Sequence, residues 1–121
     1  MILKRQGYFK EMQCGEDTDP SIFDFIHKSK LNKDKIVKYL QSGIVLAACG
    51  SVVEDIINPQ NGIIGTPDDL TDGTWMWPAD LSYYVERYDL KLDEEFLDHM
   101  SKNSWKVPTD VVIDENDLEV L

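Results

Sequence analysis

The sequence predicts an α+β fold: a single domain in which a small, mainly antiparallel sheet packs against about four helices. Three observations lead there. Stretches with strand character lie together between helical stretches, an order that favours a segregated sheet over alternating βαβ units. The segment Thr71 to Val85, TDGTWMWPADLSYYV, joins a turn, an aromatic strand and an amphipathic helix without a break. Finally, 121 residues suffice for one sizeable core and are too few to expect two.

That segment organises the rest. Thr71, Asp72 and Gly73 supply turn chemistry that closes a hairpin, Gly73 being free to take a positive φ. Trp75, Met76 and Trp77 read as a strand with both indoles on one face and Met76 on the other. Pro78 suits the first turn of a helix. In that helix Leu81, Tyr84, Val85 and Tyr88 fall at i, i+3, i+4 and i+7 and make one apolar face.

From the start, residues 1 to 13 mix apolar and basic residues irregularly, with Tyr8 and Phe9 either opening a strand or pinning the terminus. Asp19 as N-cap and Pro20 at the first helical position predict a helix to about Ser29. Asn32 caps a second helix, Lys33 to Ser42, with Ile36, Val37 and Leu40 inward and Gly43 at a left-handed C-cap. The apolar run Ile44 to Cys49 reads by its length as a buried strand. Ser51 to Ile57 fits either an edge strand or a helical turn. Asn58 to Gly62 is a loop in which Asn61 and Gly62 form a preferred hairpin pair, and Ile63 and Ile64 resume a strand. Asp93 caps a last helix that carries Glu94 and Glu95 in its first turn and ends near Asn103. Beyond it, Val111 to Ile113 fit an edge strand, and residues 110 to 121 read as an ordered cap or a frayed acidic tail.

The formal charge is −11. It argues against nucleic-acid binding, which needs cations to replace phosphate counterions. The charge is also uneven: residues 1 to 38 hold eight Lys/Arg against six Asp/Glu, and residues 39 to 121 hold four against seventeen. Such asymmetry points to a basic partner for the C-terminal two thirds. No apolar run reaches the roughly 20 residues of a membrane helix, and MILKRQGYFKEMQCG lacks a signal-peptide core. The expectation is a cytoplasmic location without membrane attachment. Cys14 and Cys49 are the only cysteines and, with no CxxC, read as two buried thiols.

Motifs for chemistry are sparse. DDLTDG from Asp68 puts Leu70 at a calcium-ligand position and Ala79 where a bidentate glutamate belongs, and Asp114 to Glu119 puts Leu118 at a ligand position. No metal or other cofactor is expected. His27 and His99, the only histidines, both fall in predicted helices and read as structural. Neither glycine-rich phosphate pattern occurs, so no catalytic residue is assigned.

The run TDGTWMWPADLSYYVERYDLKLDEEFLDHM resembles a set of small, largely uncharacterised bacterial proteins that share a TDG-x-W-x-WP-x-x-L-x-Y-Y-V core followed by a short L-x-x-x-F helix start. The resemblance spans about Gly43 to Val107 and bears on fold, not catalysis. Where those proteins often carry Pro after the connecting Leu, this chain has Asp93. In size and acidity the chain is also similar to bacterial immunity proteins, which neutralise a cognate toxin, commonly a nuclease, by binding it. The expectation is a non-catalytic immunity protein that meets a basic toxin through Asp68, Asp69 and Asp72 at the hairpin, with Tyr83, Glu86, Asp89, Glu94 and Glu95 on the helices that follow. The alternative is a small-ligand-binding or hydrolytic domain with its pocket between the sheet and the helix after Pro78, holding a perturbed carboxylate or His99.

Overall fold

The computed structural model describes residues 2–12, 15–29, 32–111 and 119–120. The domain is α+β, as expected, with three α-helices rather than about four. The strands are β1 (Ile2–Arg5), β2 (Ile44–Ala47), β3 (Val53–Glu54), β4 (Ile63–Gly65), β5 (Asp69–Thr71), β6 (Trp75–Pro78) and β7 (Glu119–Val120). The helices are α1 (Lys33–Gln41), α2 (Leu81–Tyr88) and α3 (Glu94–Lys102). The main sheet runs β2-β5-β6-β1-β7, and β3 and β4 form a separate two-stranded ribbon.

The sheet is mixed rather than mainly antiparallel. β2, β5 and β6 pair antiparallel, whereas β1 enters parallel to β6 and to β7. Sequence reasoning missed β1 because ILKR does not look like an interior strand. Its cations reach water on long apolar stems: the Lys4 ammonium lies 5.4 Å from the Trp75 ring centre and meets Glu95, and Arg5 stacks 4.3 Å over Tyr8 and reaches Asp19 at 3.4 Å.

The hairpin forms as predicted. β5 and β6 pair with Leu70 opposite Trp77, and Gly73 takes φ +94° in the turn between them. Asp72 Oδ1 accepts from the Thr74 and Trp75 amides at 2.9 and 2.8 Å, which holds that turn closed. Alternation places Trp75 and Trp77 in the main core and Met76 with Leu3 and Tyr8 on the other sheet face. Pro78 ends β6 instead of starting α2. The Ala79 amide still donates to the Asp68 carbonyl at 2.7 Å, so the ladder runs past the proline.

The expected helix from Pro20 shrinks to one 3-10 turn, Ile22–Asp24, capped by Ser21 rather than Asp19. Long-range backbone bonds claim its next turn. The amides of His27, Lys28 and Ser29 donate to the carbonyls of Tyr88 and Asp89, Lys91 donates to the Phe25 carbonyl, and His27 is left at φ +59°. By contrast, α1 and α3 lie where periodicity put them. Asp93 caps α3 through the Glu95 amide at 2.8 Å. Ile36, Val37, Tyr39 and Leu40 of α1 are buried against α2 and, more lightly, α3.

Two further expectations are corrected. The run Ile44 to Cys49 supplies an edge strand only as far as Ala47, and it is not buried: Val45 is 56% exposed, and Cys49 beyond the strand is an exposed free thiol. Val111 carries no strand, and the expectations for Ile113 and for residues 112–118 lie outside the described residues, as does that for Cys14. Glu119 and Val120 do have a strand backbone, paired to Ile2 and Leu3.

Candidate functional site

Three groups of polar side chains mark the molecule, and two of them serve the fold. The first centres on Asp72, whose side chain is shut off from solvent. Its Oδ2 accepts from the Tyr39 hydroxyl at 2.5 Å and lies 3.0 Å from His99 Nε2. Asn103 donates to the Tyr39 oxygen at 3.0 Å. A hydrogen on His99 Nε2 satisfies the carboxylate, and in that tautomer the 3.3 Å approach of the Asn103 amide nitrogen is a contact without a hydrogen bond. Burial, followed by the carboxylate beside it, pushes the Tyr39 hydroxyl far above its usual range, so it stays protonated and donates. The arrangement ties α1, the β5–β6 turn and α3 together.

The second group centres on Asp55, buried just after β3. Five donors converge on it: the Tyr83 and Tyr88 hydroxyls at 2.7 and 2.5 Å, the Asn61 amide at 2.9 Å, and the backbone of Ile57 and Asn58 at 2.8 and 2.9 Å. Burial works to raise its pKa, but the Tyr88, Asn61, Asn58 and Tyr83 hydrogen bonds outweigh that and hold it well below the usual carboxylate range. Asp55 thus fastens the β3–β4 ribbon to α2.

The third group is different. Asp80 precedes α2 and is only 6% exposed, yet its carboxylate makes no capping hydrogen bond. It lines a cleft of about 340 Å³ together with Met12, Val52, Val53, Glu54, Asp55, Ile56 and Pro59. Burial raises its pKa to about 6. Larger clefts of about 610 and 400 Å³ share Lys28, Lys91 and Glu94, and their walls mix Arg5, Lys28 and Lys91 with Asp19, Asp24 and Glu94. The layer between the main sheet and α2 is filled by Trp77, Leu81, Tyr84 and Val85. Concave space therefore opens at the start of α2 rather than beneath it.

The residues expected to bind a partner do not form one surface. Asp72 is buried and engaged internally, which removes it from the list. Asp68 accepts from the Cys49 amide at 2.7 Å, Asp69 from the Tyr8 hydroxyl at 2.6 Å, and Tyr83 gives its hydroxyl to Asp55. Asp89 pairs with Lys33 at 2.7 Å, and Glu95 with Lys4. Glu86, Glu94 and Glu95 are exposed. Asp93 and Asp98 are exposed beside them, and the four-residue step from Glu94 to Asp98 was the sequence signal for the second. Asp80 was missed because, with the helix read from Pro78, an aspartate in the first turn looks like an ordinary complement to the helix dipole.

Among the described residues no group of His, Cys, Asp and Glu side chains is placed to hold a metal ion, and no helix is long and apolar enough to cross a membrane. Comparison with protein-family models, curated proteins and solved structures finds no match.

Proposed function

We propose that this protein is a non-catalytic binding protein, an immunity protein that neutralises a basic toxin such as a nuclease in the cytoplasm, and that α3 with the end of α2 is its contact surface. The observation that carries this reading is the exposed row Glu94, Glu95 and Asp98 along one side of α3, preceded by exposed Asp93, with Glu86 on α2 also exposed. Phe96 and Met100 anchor the opposite side of the helix in the core, so the row is held on a fixed support. Lys4 and Lys91 lie near it, Lys91 at 3.9 Å from Glu94. Both are exposed ion pairs, which bind weakly and yield to a partner's cations. Opposed fields of this kind raise the rate of encounter and are screened by salt.

The test is co-expression with candidate toxins encoded beside this chain, followed by capture of the complex on the full-length protein. The native chain is expected to restore growth and retain a basic toxin that about 1 M salt releases, where screening acts over roughly 3 Å. Replacing Glu86, Glu94, Glu95 and Asp98 with lysine should abolish both effects. Protection that survives those four changes would refute the surface, and a chain that protects against none of the toxins would refute the function.

A further inference from the structure

We propose that the cleft at the start of α2 is a binding site for a primary alkylammonium group, taken from a lysine side chain or a free aliphatic amine, with Asp80 as its counter-ion. The site stands apart from the α3 surface and does not depend on it.

The chemistry of the lining selects the ligand. Its charged residues are Glu54, Asp55 and Asp80, and no base is among them. The oxygens of Asp55 are occupied by five donors, whereas those of Asp80 accept from no other residue's donor. No buried side-chain oxygen among the described residues lacks a partner. The Asp80 carboxylate is met only by the residue's own amide, and the residue keeps a small accessible surface of 6% and lines the cleft. Around them stand Met12, Val52, Val53, Ile56 and Pro59, an apolar wall suited to a methylene stem.

A carboxylate in such a place is costly until a cation joins it. Burial holds its pKa up at about 6, the mark of an anion lacking a counter-charge. An ammonium offers three donors and a compact charge, and a charge-assisted hydrogen bond in a desolvated cleft is stronger than a neutral one. An anion would face three carboxylates. A divalent metal needs several converging ligands, and these side chains are not placed to converge on one. At about 340 Å³ the cleft sits at the small end of ligand pockets, which run from roughly 300 Å³, and so fits a short amine better than a drug-sized molecule.

Titration of the full chain with n-butylammonium chloride, followed by amide NMR shifts, tests the site. Saturable shifts are expected at Val52 to Ile56 and at Asp80 to Tyr84, with 1-butanol giving none. Asp80→Asn should weaken binding at least about tenfold, the scale of one lost charge-assisted contact. Val52→Arg, at an exposed position on the rim, should block the cleft while leaving the core alone. Absence of saturable shifts, equal binding of 1-butanol, or full binding by Asp80→Asn overturns the proposal. A second arm uses a blocked Gly-Lys-Gly peptide against its acetyl-lysine form. Binding of the lysine peptide and the amine assigns a lysine side chain of a partner, and binding of the amine alone assigns a free amine.

Discussion

Gly43 lies against the indole of Trp77, so that a Cβ at this glycine would stand 2.7 Å from ring atom Cζ2 and 2.8 Å from the Leu70 Cβ. The ring cannot swing away, because its Nε1 donates to the Leu40 carbonyl at 3.0 Å. Gly43 was expected at a left-handed C-cap. Its φ is not positive, and close approach is what requires glycine here. Gly43→Ala should therefore destabilise the protein by about 2 kcal/mol through overpacking, visible as a lower urea midpoint with unchanged slope.

Asp72 belongs to the fold rather than to a contact surface. Asp72→Ala leaves two turn amides, the Tyr39 hydroxyl and the His99 ring facing an empty space, with an expected loss of about 3 kcal/mol. His99→Ala, which removes one of these four partners, should cost about 1 kcal/mol. Thermal unfolding of both variants orders them, and an Asp72→Ala protein as stable as the native chain would contradict the network.

The Asp55 cluster predicts acid sensitivity. Its folded-state pKa lies below the ordinary 3.8, so the carboxylate adds stability above that pH and loses it as pH falls through and below this value. Asp55→Asn should flatten the acid limb of the stability curve while lowering stability at pH 7 by about 2 kcal/mol. Tyr88→Phe, deleting one donor at 2.5 Å, should show about half that loss.

Asp80 predicts the opposite slope. Its folded pKa, about 6, exceeds the ordinary 3.8, so the folded state prefers the protonated acid and stability declines as pH rises from about 4 to about 6. Glu54 and Asp55, beside it in the cleft, and the buried Tyr84 offer no positive charge to offset this. Asp80→Asn should raise stability at pH 7 by about 2 kcal/mol, at 1.36 kcal/mol per pH unit discounted for the open cleft. The gain should shrink below pH 6 and vanish below pH 4. Denaturant melts across pH 3 to 8 measure it, and a gain independent of pH would show that ionisation of Asp80 is not its source.

The sequence alone determined what depends on neighbours a few residues away. Turn chemistry placed the β5–β6 hairpin, the 3.6-residue period placed α1 and the face of α2, and Asp93 placed the start of α3. Its overall negative charge was equally plain. Only the tertiary structure decided that ILKR is an interior parallel strand, that the helix from Pro20 is a single turn, and which carboxylates remain in water. Asp72 is claimed by Tyr39 across 33 residues, and Asp55 by Tyr83 and Tyr88 across 28 and 33. The physical reason is that a carboxylate's exposure, its pKa and its availability to a partner are set by groups that folding brings to it, and no local pattern records which groups those will be.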